Sequence, residues 1–144
     1  DLYELRATLE GMAGRLAAEK SGHSEKAVLQ ELCNDEDMMI CQGAAPEALA
    51  QHNAMFHSAI LSTARNQFLS ESLVRHSQML VLLGVTAYSV PSRIVSIQAE
   101  HHAVNAAIQS GDAEGCERAM KHHLHEALKA RLKLASLSTN SEMD

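Results

Sequence analysis

The chain has 144 residues, a formal net charge of −6 and Lys and Arg residues spread along its length; that is enough chain for one domain with its own core, and it excludes a phosphate-gripping surface as the direct role. Apolar residues make up 46% of the sequence and aromatic ones only 3%, with no Trp, so the core must come from Leu, Ala, Ile, Val and Met. Two prolines and seven glycines supply little of the turn chemistry that a sheet of short strands requires.

Leu2, Leu5, Leu9, Met12 and Leu16 step by three and four residues, which predicts a first helix to about Lys20 with that seam inward. After Ser21-Gly22, Ser24 is the expected cap of a second helix with Val28, Leu32 and Met39 on its stripe, stopped by Gly43. Pro46 opens a third helix carrying Leu49, Asn53, Phe56, His57 and Ile60 on one side, to about Arg65-Asn66. A fourth from about Gln67 aligns Leu69, Leu73, His76, Leu80 and Leu83 before Gly84. A fifth from near Ser92 aligns Ile94, Ile97, His101, Val104 and Ile108 and closes at Ser110-Gly111. Asp112 caps a sixth, expected to run to about Ser136 before a polar, frayed tail. The expected fold is an all-α antiparallel bundle, with the short connections favouring consecutive helices as neighbours.

No stretch approaches the ~18 continuous apolar residues that a bilayer span requires. Cys33, Cys41 and Cys116 form no CxxC pair and leave an odd count, which reads as buried, reduced thiols in a cytoplasmic protein. A start at Asp1 rather than Met predicts a piece of a longer protein.

Nine histidines is a high count, and helical period sorts them. His101, not His102, continues the fifth seam; His123, not His122 or His125, shares a face with Cys116, Met120 and Ala127; His57 sits on the third seam and His76 on the fourth. With apolar faces covering about three positions in seven, roughly four of the nine would point inward by chance, so a core histidine bonded to a backbone carbonyl stands as the alternative for each. The joint pattern says more. Asn53 and His57 are four residues apart on one buried stripe, a spacing at which two side chains converge on one ion. Neutral imidazole suits Zn, Ni, Fe or Cu, with Zn or Ni the expected metal, and three histidines with one oxygen donor leave positions open for water or a carboxylate.

The opening helix, with Arg6 three residues before Leu9-Glu10, resembles the first helix of the FCD, or FadR-like, effector-binding domain of GntR-type bacterial transcription regulators. Asn53-Ala54-Met55-Phe56-His57, followed by Ala64-Arg65-Asn66, is similar to that family's D-x-x-F-H helix and the turn after it. Glu100-His101, Ala106-Ala107-Ile108, Gly111-Asp112, Ala119-Met120 and His123-Leu124 resemble its later signature in order and spacing.

The resemblance implies six or seven helices around a central ligand or metal cavity, a homodimer, and DNA contact only through a winged helix-turn-helix N-terminal to this segment. Residues 1–144 would then be the effector-binding and dimerisation domain, with no membrane role. In metal-binding members the ligands map onto Asn53, His57, His101 and His123, with Asn53 standing where the family usually has aspartate. Arg6 resembles a position that can face the cavity and pair with an effector carboxylate; a bridge to Glu10 one turn on is its alternative. His76 matches no motif and is a candidate pocket-lining residue. The expected function is sensing of a small organic acid without catalysis. A helical-bundle metalloenzyme and a metal-free dimerisation domain are the competing readings; Glu100 is the only carboxylate next to a ligand candidate, and its side chain should point away from the His101 face.

Overall fold

The computed structural model describes residues 2–81 and 87–141, with side chains placed outside 77–81 and 138–141. Six helices follow in order: α1 (Leu2–Lys20), α2 (His23–Cys41), α3 (Pro46–Ala64), α4 (Gln67–Val81), α5 (Pro91–Ser110) and α6 (Ala113–Ser141). A single 3-10 turn, Ala87–Ser89, precedes α5, and no strand occurs among the described residues. The expected all-α bundle is what forms.

The stops and starts follow local chemistry. Gly43 and Gly111 take positive φ just past α2 and α5, where a side chain would be strained. Asn66 Oδ1 accepts the Leu69 amide at 3.1 Å to open α4, and Asp112 Oδ1 accepts the Gly115 amide at 2.9 Å to open α6. At α2 the cap position is Gly22 rather than Ser24, because Glu25 reaches back to the Gly22 amide at 3.0 Å and so fixes the first turn. Helix α6 runs past the expected end at Ser136 to Ser141. Leu83 and Gly84 of the fourth pattern lie outside the described residues.

Helix α1 is central and packs on α3, α4, α5 and α6, most extensively on α6. Consecutive helices are neighbours for α2 with α3 and for α5 with α6, whereas α1 and α2 do not pack on each other despite a two-residue link. The main core joins Phe56 and Ile60 of α3, Val104 and Ile108 of α5, and Met120 and Leu124 of α6.

The seam expected for α1 is displaced. Its buried residues are Tyr3, Ala7, Glu10, Gly11, Ala13, Gly14, Ala17 and Ala18, while Leu5 and Met12 are 43% and 44% exposed. The small residues face inward because α6 comes close: a Cβ added at Gly14 would lie 3.0 Å from Cys116 Sγ and 3.6 Å from the Met120 Cβ. The same displacement holds in α2, where Leu29, Cys33 and Glu36 are buried and Val28 is half exposed. Gly14→Val is therefore expected to lower stability by about 1–3 kcal/mol through overpacking, read as a lower midpoint in chemical denaturation.

Candidate metal centre

Helical period delivers three imidazoles to one point. His57 comes from α3 one residue after buried Phe56, His101 from the buried α5 seam of Ile97, Val104 and Ile108, and His123 from α6 next to Leu124. One ring nitrogen from each lies within 4.8 Å of the other two. His57 Nε2 and His123 Nε2 are 3.2 Å apart, and the His101 ring centroid is 4.8 Å from that of His123 and 5.8 Å from that of His57. Phe56 packs on the His101 ring at 4.5 Å between centroids and walls that side with apolar surface.

Each imidazole is braced on its far nitrogen by a different carboxylate. His57 Nδ1 bonds Glu10 Oε2, His101 Nδ1 donates to Glu36 at 2.9 and 3.0 Å, and His123 Nδ1 donates to Glu100 Oε2 at 2.7 Å. Every carboxylate is held in turn. Arg6 donates Nε and Nη2 to Glu10 at 2.9 and 2.5 Å, the Tyr88 hydroxyl donates to Glu36 at 3.3 Å, and Arg93 grips Glu100 through two nitrogens at 2.5 and 2.7 Å.

Burial by itself would push the three carboxyls up, but their partners overturn it: His57 and Arg6 hold Glu10 far below the usual range, His101 and Tyr88 hold Glu36 below it, and His123 and Arg93 hold Glu100 down to about 2. Burial outweighs those same carboxylates at the imidazoles, lowering His101 and bringing His123 down to about 4. His101 and His123 are thus neutral near pH 7, and with Nδ1–H given to a carboxylate the lone pair resides on Nε2.

His101 Nε2 is buried without a hydrogen-bond partner, and the His57 and His123 Nε2 atoms lie within hydrogen-bond distance of each other, with the tautomer deciding which would donate. A proton on one ring would join that pair and still leave His101 unmatched. A divalent cation accepts all three, so the residues fit a metal of the imidazole-preferring class.

The remaining candidates are less converged. Asn53 lies one turn before His57 on α3 and is half-buried. Arg6 pairs with Glu10, so its guanidinium supports the His57 brace. His76 Nδ1 bonds the Ser72 carbonyl of its own helix at 2.5 Å. A histidine satisfied by a distant carbonyl does occur, but it is His52, buried on α3 with Nε2 2.7 Å from the Leu32 oxygen. Glu100 accepts from His123 Nδ1 at 2.7 Å and from Arg93.

From sequence, Glu10 has a role only as the alternative partner of Arg6, which it does bind, and Glu36, Arg93 and Tyr88 have none. The signal was present in the true seams: Tyr3, Ala7 and Glu10 step by four and three, as do Leu29, Cys33 and Glu36. A carboxylate on a buried seam requires a partner. All three thiols are free, but only two are buried as expected: burial pushes Cys33 and Cys116 up to about 12, which leaves them inert, whereas Cys41, the last residue of α2, is exposed.

The FCD domain family model matches residues 1–126, which include all three histidines and all three braces. The chain belongs to the FCD domain family. This FCD domain is 28% identical over 134 residues to the putative L-lactate dehydrogenase operon regulatory protein of Escherichia coli, a match covering 86% of this chain and 48% of that protein. It is 27% identical over 137 residues to the probable D-xylose utilization operon transcriptional repressor of Paenarthrobacter nicotinovorans, covering 90% and 58%. An uncharacterized HTH-type transcriptional regulator of Bacillus subtilis is 18% identical over 125 residues, covering 87% and 56%. The chain spans about half the length of the curated relatives it matches. No described helix is long and apolar enough to cross a membrane.

Proposed function

We propose that this FCD domain is the effector-sensing and dimerisation part of a GntR-type transcription regulator, cytoplasmic, holding a divalent metal, zinc or nickel, on His57, His101 and His123. One observation carries the reading: three imidazoles, two buried and one half-buried, each braced at Nδ1 by a carboxylate, bring a ring nitrogen apiece within 4.8 Å of one another. Asn53 is the proposed fourth donor or the anchor of a bound water, since its amide oxygen brings no charge to compete with an incoming carboxylate. When bound, the metal supplies a positive centre with open positions for a small carboxylic acid. Arg6 and His76 are proposed to border the effector.

The braces give the site leverage on the fold. His57 ties α3 to α1 through Glu10, His101 ties α5 to α2 through Glu36, and His123 ties α6 to α5 through Glu100. Differential binding at the centre is thereby a differential force on five helices, which is what a two-state sensor needs to re-present DNA-binding domains in a homodimer. Catalysis is disfavoured because all three carboxylates are committed to histidine and to a second donor, leaving none as a free general base.

The relatives' names, one for an L-lactate operon and one for a D-xylose operon, set the effector panel. Chelator-treated, tag-free protein is expected to melt about 10 °C higher with zinc or nickel at ~100 times its dissociation constant. L-lactate and related carboxylates should raise the melting point further, and D-xylose serves as the neutral comparator. A melting curve that ignores both metals would remove the metal from this reading, and a carboxylate panel with no added shift would remove the effector class.

A further inference from the structure

Away from the histidines, the first turn of α5 and the outer half of α6 wall a half-open cavity of about 360 Å³, within the range of small-molecule sites. Its body is apolar, formed by Val90, Ala130, Leu134 and Leu137, and its polar edge carries Arg93, Lys129 and Lys133 against Glu126 alone. Glu126 is taken by Lys129 at 2.6 Å, and Lys133 forms no ion pair with a described residue. Arg93 is 8% exposed, gives both terminal nitrogens to Glu100, and leaves its Nε buried without an acceptor. The N-terminus of α5 opens on the same cavity through Val90 and Ser92, and no side chain caps it. A 20-residue helix presents uncapped amides and partial positive charge there.

Lys133 without an ion pair, the unpartnered Arg93 Nε, an uncapped helix start and a short apolar trough are complementary to one negative head on a compact apolar body. Phosphate would satisfy the head and waste the trough, and a neutral apolar molecule would leave those donors unmatched. We propose that this cavity between α5 and α6 is a binding site for a small amphipathic monocarboxylate, separate from the histidine centre. Lys129 and Lys133 lie beyond residues 1–126, the stretch that the FCD domain model matches, and Arg93 and Glu126 lie within it. Arg93 lines the cavity and also braces Glu100, so the ligand would share a residue with the support of His123.

Calorimetric titration of hexanoate, with hexanamide as its neutral near-isostere, tests this on protein stripped of metal by chelator, so that failure of the metal reading leaves the result unaffected. Hexanoate is expected to bind saturably at one site, with hexanamide at least about tenfold weaker. The double variant Lys129→Gln/Lys133→Gln should weaken hexanoate about tenfold while keeping the fold, since both lysines are exposed. Absence of saturable hexanoate binding, equal binding of the amide, or an unchanged affinity in the double variant would each overturn the proposal.

Discussion

Tag-free protein carrying His101→Ala is expected to lose its metal, with affinity down by more than about 100-fold, and in its metal-free form to be less stable by about 3–5 kcal/mol. The two effects have different origins. The affinity falls because His101 is the most deeply buried of the three histidines and its Nε2 is otherwise unpartnered. Stability falls because Glu36, 1% exposed, loses the two-oxygen hydrogen bond that compensates its burial and keeps only the Tyr88 hydroxyl at 3.3 Å. The methyl group also leaves a void against the Phe56 ring. Adding Glu36→Gln removes the stranded charge, so the double variant should regain most of the lost stability and none of the metal. Elemental analysis and chemical denaturation read the two quantities independently. Wild-type metal content in His101→Ala would show that the three histidines are not the site.

The part of this site visible from sequence is the part that obeys one helix's period. Ile97, His101, Val104 and Ile108 form a seam that stays buried, and the same rule separates His123 from the exposed His122 and His125. The rule failed on α1 because it weighs residues by hydrophobicity. The face turned inward there is chosen by how closely α6 approaches, which favours Gly11 and Gly14 over Leu5 and Met12. Once the seam is displaced by a residue, Glu10 reads as a surface carboxylate and its brace to His57, 47 positions away, is lost from view. Glu36 is hidden in the same way, because the buried seam of α2 runs through Leu29, Cys33 and Glu36 rather than through Val28, Leu32 and Met39. The centre's far side is therefore a property of packing between helices, whereas its ligands are a property of single helices.

Arg93→Met should be among the more damaging single substitutions in the domain, costing about 3–5 kcal/mol, even though Arg93 lies far in sequence from His57 and gives its hydrogen bonds to Glu100 rather than to a histidine. Its guanidinium clamps a Glu100 carboxylate that is only 8% exposed, and the same carboxylate receives the His123 Nδ1–H. With the clamp gone, a buried anion is left on one neutral donor, and it either distorts the turn to reach water or draws a proton. In either case His123 loses its orientation, so metal affinity should fall about 10–100-fold as well. Replacing both partners separates charge from shape. Arg93→Met/Glu100→Gln keeps an oxygen acceptor for His123 and removes both buried charges, and exchange of a buried ion pair for neutral groups is often close to neutral in stability. The double variant should then be more stable than Arg93→Met, with a coupling of about 2 kcal/mol or more in the cycle. Additive losses, measured by denaturant midpoints on the two single variants and the double, would mean that Arg93 and Glu100 act separately and that the His123 brace does not depend on the clamp.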